Sequence, residues 1–331
     1  MIIRNLFSLI PAYYALHKDV KRQKRFVKTV LEPDIENAIK GNDGTLDDAD
    51  FQKVRGYYGF GVPAIVGESI CTLRGKVMDT IERTANTYQG ALTGLYDDFF
   101  DKTHLDKADI KKMMLNPASY AARTSLEKLF IHFLGMVHKN LSDQAYFTDM
   151  FNKVFQAQID SGDQAEKGIS RDAIKDITFR KGGYSLLFYR SVFHHKLHKG
   201  EEEALFNAGG LMQLGNDIFD VWEDEQQQIK TLLTSCKNIN EVRQIFLGQL
   251  QKTAKLFQQS GFPHKNINTF LHKFVLGISR CLVCLDQLES LEHKTGGKFM
   301  PSAYTREELI CDMEKPGNML SSVRYYLAYK F

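Results

Sequence analysis

The sequence predicts an all-α protein built as a single-domain helical bundle. Apolar residues recur three and four positions apart over long stretches, as in residues 119–141 and 240–259, and this is the period of an amphipathic helix. Alternating strand patterns bounded by turn residues are scarce. The chain has 331 residues, and no Pro-, Ser- or Gly-rich linker divides it. We therefore predict one all-α domain over residues 1–331, with long helices packed as a bundle.

The first elements are a helix and a glycine-spaced connection. The N-terminal stretch MIIRNLFSLIPAYYALHK has one early arginine and a short apolar run but no small-residue cleavage site, so it predicts an amphipathic helix rather than a signal peptide. The run GYYGFGVP, residues 56–63, has no strand before it and no phosphate-loop lysine after it. We interpret it as a connection between helices.

The stretch GLYDDFFDK, residues 94–102, places three carboxylates in an apolar and aromatic run. On a helix, Asp97 and Asp101 share one face, and Asp98 projects about 100° round the axis from Asp97. A solvated helix end is one interpretation. The neighbours Leu95 and Phe99 favour a packed helix, where clustered carboxylates need a cation and a divalent metal is the leading hypothesis.

A second acidic cluster lies in the segment GGLMQLGNDIFDVWEDEQQQ. On a helix, one stripe carries Gln213, Asn216, Asp217, Asp220 and Asp224. A surface stripe usually pairs its acids with basic residues one turn away, but no Lys or Arg occurs between Leu211 and Ile229. Two acidic clusters on helices of one bundle predict a carboxylate metal site facing its interior. Oxygen-only ligands favour Mg²⁺.

These motifs resemble those of the class I isoprenoid synthases, all-α enzymes that ionise or condense allylic diphosphates with Mg²⁺. The run from Asp97 to Asp101 matches their DDxxD motif letter for letter. Asn216, Asp220 and Asp224 have the spacing of the second metal motif of terpene cyclases, NxxxSxxxE, with aspartate at the middle and last positions. In another frame, QLGNDIFD resembles the QxxDDxxD motif of trans-prenyltransferases.

The segment FRKGGYSLLFYR, residues 179–190, is similar to the helix break that binds diphosphate in this superfamily. The resemblance covers about residues 87–225 and is closest to bacterial cyclases related to squalene and phytoene synthases, including the tetraprenyl-β-curcumene synthase type. It implies a cluster of up to about three Mg²⁺ ions. The implied metal ligands are Asp97, Asp98, Asp101, Asn216, Asp217, Asp220 and Asp224.

The resemblance also implies the groups that bind diphosphate. Arg180, Lys181 and Gly182 occupy the helix-break segment, although a basic helix end with a glycine cap stays open. The C-terminal pair Arg324-Tyr325 resembles the late Arg-Tyr pair of bacterial cyclases. A terminal amphipathic helix with an exposed arginine is the other interpretation of that pair. We expect Asp97 and the Asn216, Asp220 and Asp224 set to face one cavity.

The implied activity is that of a terpene synthase, a lyase that ionises a linear isoprenyl diphosphate and cyclises the carbocation. Chain elongation is disfavoured, because KTHLDK follows Asp101 where elongating prenyltransferases carry a pair of arginines. A prenyl-joining transferase of the squalene or phytoene synthase type is the enzymatic alternative. A catalytically inactive helical binding protein is the alternative from another class.

Composition restricts the partners. A net charge of +3 gives no general reason to expect a nucleic acid. No segment approaches the ~18 apolar residues of an integral membrane span, and a homodimer stays open. The few cysteines, 5 in all, argue against a disulfide framework and make a cytoplasmic setting the default expectation. We interpret Cys281 and Cys284 as packed thiols rather than metal ligands.

Overall fold

The computed structural model describes residues 2–102, 105–166 and 168–331, apart from the side chain of Asp101. The described residues form helices and no strand, which confirms the all-α prediction. The α-helices are α1 (Ile2–Phe26), α2 (Glu32–Lys40), α3 (Asp48–Gln52), α4 (Glu68–Arg74), α5 (Thr80–Asp101), α6 (Lys107–Leu115), α7 (Ser125–Lys139), α8 (Gln144–Ser161), α9 (Arg171–Arg190), α10 (Glu201–Phe219), α11 (Val221–Gln226), α12 (Ile239–Gln259), α13 (His264–Lys294), α14 (Arg306–Leu309) and α15 (Pro316–Ala328). Two segments are π-helical, Val27–Leu31 and Lys53–Gly67, and three are 3₁₀-helical, Pro117–Ser119, Gly162–Ala165 and Pro301–Ala303.

The chain forms two compact units. The larger unit comprises Met1–Tyr13, Met150–Leu187 and Leu197–Phe331, and the smaller unit comprises Tyr14–Asp149 and Phe188–Lys196. The DDxxD motif lies in the smaller unit, whereas the second acidic cluster, the segment around Lys181 and the C-terminal Arg-Tyr pair lie in the larger one. The expectation that the two acidic motifs face one cavity concerns both units and stays a prediction.

In the smaller unit, α5 packs against the π-helical segment Lys53–Gly67 and against α7. Our interpretation of residues 56–63 as a connection is wrong, because they lie inside this π-helix. Gly90 of α5 permits the packing, since a Cβ there would lie 2.5 Å from the carbonyl oxygen of Tyr58. Local sequence favours a turn at spaced glycines, but the close approach of two helices also requires glycine.

The periodic stretches form helices close to where they were expected. The stretch 240–259 corresponds to α12, which begins after Asn238, whose side chain caps the first turn. The stretch 119–141 contains α7, which begins later than the pattern suggests. Thr124 ends the preceding extended segment and accepts a hydrogen bond from the Glu127 amide, so the helix starts at Ser125. A polar N-cap therefore sets each start.

In the larger unit, α10, α12 and α13 pack around a common core. Leu211, Leu214 and Ile218 on α10 are fully buried, with Phe246 of α12 and Leu285 of α13 in the same cluster. Their spacing of three and four residues defines the core face of α10. The polar side chains of the second acidic cluster occupy the remaining positions of this helix and of α11.

Candidate functional site

Asp97 and Asp98 of the DDxxD motif lie in the last two turns of α5 and face different surroundings. Asp97 is half-buried, and the Tyr58 hydroxyl donates a hydrogen bond to its Oδ2 at 3.3 Å. Burial, followed by the negative charge of Asp97, raises the pKa of Tyr58 well above its ordinary value. Tyr58 therefore stays protonated and able to donate to this carboxylate. The interpretation of a solvated helix end does not fit Asp97.

Asp98 is only 2% exposed and forms an ion pair with Lys53, with 2.9 Å between Lys53 Nζ and Asp98 Oδ1. Its Oδ2 is buried and has no hydrogen-bond partner among the described residues. Desolvation raises the pKa of Asp98, and Lys53 opposes that rise only in part. Asp98 is thus anchored to the π-helical segment, which suits a supporting position more than direct contact with a ligand.

The remaining predicted ligand of this motif is Asp101. Its backbone closes α5, but its side chain lies outside the described residues, so its role stays a prediction. The next residue, Lys102, forms ion pairs with Asp50 and with Asp47, the latter at 3.2 Å. That lysine therefore contributes to the packing of α3.

In the larger unit, Asp217 is held by two hydrogen bonds from side chains. Gln213 Nε2 donates to Asp217 Oδ1 at 2.9 Å, and the Thr178 hydroxyl donates to Oδ2 at 3.1 Å. Asp217 is 5% exposed. Its burial raises the pKa to about 6, against the lowering effect of both donors and of Lys181. Two donors from two helices therefore fix the carboxyl group at the junction of α9 and α10.

Asp220 lies between α10 and α11, where the stripe leaves the regular helix. Asn216 Nδ2 donates to Asp220 Oδ2 at 2.5 Å, and the Asp220 amide closes the last turn on the Asn216 carbonyl at 2.9 Å. Desolvation and the nearby Glu223 raise the pKa of Asp220. The structure thus brings Asn216 and Asp220 together, as their spacing predicts, although α10 itself ends at Phe219.

Asp224 has the most perturbed carboxyl group of the cluster. Desolvation raises its pKa to about 8, and the neighbouring charges of Asp217 and Asp220 act in the same direction. Lys181 opposes this rise. The Oδ2 atom of Asp224 is buried and finds no hydrogen-bond partner in the described part of the chain. Asp224 therefore keeps its proton to a higher pH than an ordinary aspartate does.

The two predicted basic residues of α9 have different partners. Arg180 forms ion pairs with Asp160, at 2.5 Å, and with Asp176, at 2.7 Å. Lys181 lowers the pKa of both Asp217 and Asp224, so its ammonium group lies within electrostatic reach of the acidic cluster. Lys181 is thus the better placed of the two to bind an anion at that cluster.

Gly182 and Gly183 do not break the helix, so that expectation is wrong. Helix α9 continues from Arg171 to Arg190. A Cβ at Gly182 would overlap the carbonyl oxygen of Gly209, so glycine is required where α9 crosses α10. The Lys-Gly-Gly sequence therefore brings Lys181 and Thr178 close to the second acidic cluster by letting two helices pack tightly.

The C-terminal pair lies on α15. The Tyr325 hydroxyl is 2.7 Å from both carboxylate oxygens of Asp286, which also forms an ion pair with Arg243 at 2.9 Å. Arg324 is exposed. Arg324 therefore has the position that a terminal amphipathic helix predicts, and a contact of either residue with diphosphate stays a prediction.

Several neighbours of the acidic residues were not singled out from the sequence. Lys53 and Tyr58 are separated from the DDxxD motif by some forty residues, so no local pattern connects them. Thr178 lies one helical turn before Lys181 on α9, and this spacing could have identified it as a residue of the same face.

The donor set is compatible with a hard cation. Within the described ranges, no three His, Cys, Asp or Glu side chains form a group that could hold a metal ion. The second cluster nevertheless offers only oxygen ligands, and Asp224 Oδ2 is buried and receives no hydrogen bond from any residue that the structure describes. Because Mg²⁺ keeps several waters and shares substrate phosphates, it does not require a complete protein cage. The predicted Mg²⁺ cluster stays a prediction.

Cys281 and Cys284 are both buried free thiols. Cys284 Sγ donates to the Ile218 carbonyl at 3.4 Å, so these residues pack α13 against α10. In the residues with assigned structure, no helix has the length and apolar character needed to cross a bilayer. Comparison with protein-family models, with curated proteins and with solved structures gives no match for this chain.

Proposed function

We propose that this protein is a class I terpene synthase, which ionises a linear isoprenyl diphosphate with Mg²⁺ and cyclises the resulting carbocation. The observation that carries the proposal is the convergence of Asp217, Asp220 and Asp224, each with a raised pKa, beside Lys181, whose charge lowers the pKa of two of them. Such a cluster is unfavourable without a cation. A cation-dependent anion site explains why it persists.

Asn216, Asp217, Asp220 and Asp224 are the side chains that would hold Mg²⁺ in the larger unit. Asp97 stays the predicted Mg²⁺ ligand of the DDxxD motif in the smaller unit. When bound, Mg²⁺ neutralises the negative charge that develops on the departing diphosphate. The hydrogen bonds from Gln213 and Thr178 keep the Asp217 oxygens oriented before any ligand enters, which reduces the reorganisation needed at the moment of reaction.

The chain's own residues supply the remaining steps. Lys181 donates to the diphosphate oxygens and holds the leaving group after the carbon–oxygen bond breaks. Asp224 gives up its proton when positive charge binds next to it, because a nearby cation favours the ionised carboxylate and opposes the desolvation that raises its pKa. Substrate and metal binding should therefore be mutually dependent, and binding should release protons near neutral pH.

The test is to incubate the full chain with geranyl, farnesyl, geranylgeranyl and geranylfarnesyl diphosphates, with and without Mg²⁺. Diphosphate release and the hydrocarbon or alcohol products are measured. We expect Mg²⁺-dependent release from one linear substrate and a cyclic product with the same carbon count. A product of doubled carbon count would favour the prenyl-joining transferase, and no release from any substrate would favour the inactive binding protein.

A matched pair of variants connects the activity to the cluster. Asp224→Asn removes a charge from the acidic cluster, whereas Glu202→Gln removes one from the exposed first turn of α10. We expect the first change to reduce Mg²⁺-dependent release by about 100-fold or more and the second to leave it unchanged. Equal activity of both variants would refute the assignment of the second cluster.

A further inference from the structure

The first half of α1 exposes a row of large apolar side chains. Phe7 is 75% exposed and Ile10 is 73% exposed, values at which such side chains make little contact with the rest of the chain. The apolar face of α1 comprises Ile2, Ile3, Leu6, Phe7, Ile10 and Tyr13. Exposed apolar residues are usually scattered singly, whereas a continuous set on one helix marks an interaction site.

The opposite side of the same helix is fixed to the protein. Asn5 is fully buried, and its side-chain amide donates to the carbonyl oxygens of Leu327 at 3.0 Å and of Tyr329 at 2.9 Å. Ala12 is also buried. The helix is thus attached to the C-terminal segment of the larger unit through Asn5, and this attachment directs the apolar face outwards.

The positive charge of the N-terminal segment indicates what kind of surface the apolar face would bind. The first 28 residues contain one acidic residue, Asp19. Their exposed basic residues are Arg4, Lys18, Lys21, Lys24, Arg25 and Lys28, whereas Arg22 forms an ion pair with Glu68. A large excess of positive charge beside an apolar face suits a surface that is apolar within and negatively charged outside. Two copies of this chain meeting through α1 would instead bring two such basic segments together, and their charges would repel.

We propose that α1 docks this protein on a membrane surface rich in anionic lipids, with the apolar face inserted between the head groups and the basic residues on the lipid phosphates. In this docked state α1 lies flat along the head groups, since its other side is held by the C-terminal segment through Asn5. Tyr13 has the amphipathic ring that is common at the level of the head groups. This docking does not depend on the proposed enzymatic activity.

The experiment is vesicle flotation of the full chain, using phosphatidylcholine vesicles and vesicles of phosphatidylcholine mixed with phosphatidylglycerol. We expect binding to the mixed vesicles to be about tenfold tighter or more than binding to phosphatidylcholine alone. Raising the salt concentration should reduce this difference. Equal binding to both kinds of vesicle, or no binding to either, would overturn the proposal.

The variant F7Q/I10Q tests the apolar face directly. We expect its binding to the mixed vesicles to be about 100-fold weaker, since two large apolar side chains no longer leave water. The matched control is V77Q/I81Q, which makes the same kind of change at residues that are 67% and 50% exposed elsewhere and should bind like the wild type.

Thermal melting should be the same for both variants and the wild type, because all four side chains are exposed. Undiminished vesicle binding by F7Q/I10Q would overturn the proposal. A second result would also overturn it. Sedimentation velocity would show that the wild type is a dimer and F7Q/I10Q a monomer, and the wild type would not bind vesicles. In that case the apolar face would join two copies of the chain.

Discussion

At the scale of single residues, the raised pKa of Asp224 should make the free energy of unfolding depend on pH. Its pKa is raised from 3.8 to about 8, so the folded chain binds this proton more tightly than the unfolded chain does. Between these two values the folded state holds more protons, and the free energy of unfolding therefore falls as pH rises. The protonated carboxyl group of Asp224 contributes to the free energy of unfolding. This contribution is fully present below about pH 4 and is lost as pH rises through about 8.

Replacing Asp224 by Asn should remove this pH dependence. In the absence of metal, we expect D224N to be about 1–3 kcal/mol more stable than the wild type at about pH 8, with the gap closing towards about pH 4. Urea denaturation across this pH range measures the difference. The control E202Q should follow the wild type. A D224N variant that is less stable than the wild type at high pH would contradict the raised pKa.

Lys181 and Arg180 should behave differently although they are neighbours in sequence. Arg180 is already paired with Asp160 and Asp176, whereas Lys181 acts on the acidic cluster. We expect K181A to weaken the binding of inorganic diphosphate with Mg²⁺ by about 10- to 100-fold, and R180A to weaken it much less. Isothermal titration calorimetry measures both. An equal loss in the two variants would place Arg180 at the ligand as well.

At the scale of helices, the crossing of α9 and α10 positions the cluster. We expect Gly182→Ala to reduce the free energy of unfolding by about 2–4 kcal/mol, because the added methyl group meets the Gly209 backbone and the helices must separate. The control is Gly135→Ala on α7, where no atom lies within 4 Å of the new Cβ. That change should stabilise the protein by about 0.5–1 kcal/mol. Urea denaturation compares the two, and equal effects would refute the tight crossing.

Local sequence signals predicted some of these helices correctly, but not the helix contacts made at glycines. The apolar period identifies α12 and most of α7, because that signal is local. The Lys-Gly-Gly segment and the run 56–63 were misjudged, since glycine is consistent both with a break and with a close helix contact. Only tertiary packing distinguishes the two. The spacing of Asn216, Asp217, Asp220 and Asp224 did predict their proximity, whereas the partners Lys53 and Tyr58 arise from the folded chain.

On helix α5, replacing Asp97 and replacing Asp98 should have different effects on stability and activity. Asp98→Asn breaks the ion pair with the half-exposed Lys53, and we expect a loss of about 1–2 kcal/mol of stability. Asp97→Asn keeps an acceptor for the Tyr58 hydroxyl and should leave the melting temperature unchanged or slightly higher. We expect D97N to reduce Mg²⁺-dependent diphosphate release by orders of magnitude. A destabilised D97N variant with full activity would refute its catalytic assignment.

At the scale of the whole molecule, the proposed site requires that cation and anion bind together. Mg²⁺ alone meets carboxyl groups whose burial disfavours the ionised form, and diphosphate alone meets an acidic cluster, so neither binds well without the other. A ligand that binds only the folded state stabilises it by about 2.7 kcal/mol at 100 times its dissociation constant. We therefore expect the melting temperature to rise by roughly 2–4 °C with Mg²⁺ and inorganic diphosphate together, and to change little with either alone.

This synergy should disappear when the cluster is altered. In K181A and D224N the combined rise should be lost, whereas E202Q should keep it, because Glu202 lies at the exposed start of α10. Removing Mg²⁺ with a chelator should return the wild type to its ligand-free melting temperature. A rise of equal size with Mg²⁺ alone would show that a metal binds without diphosphate. That result would contradict mutual dependence, since the carboxylates would then suffice as a cation site without the leaving group.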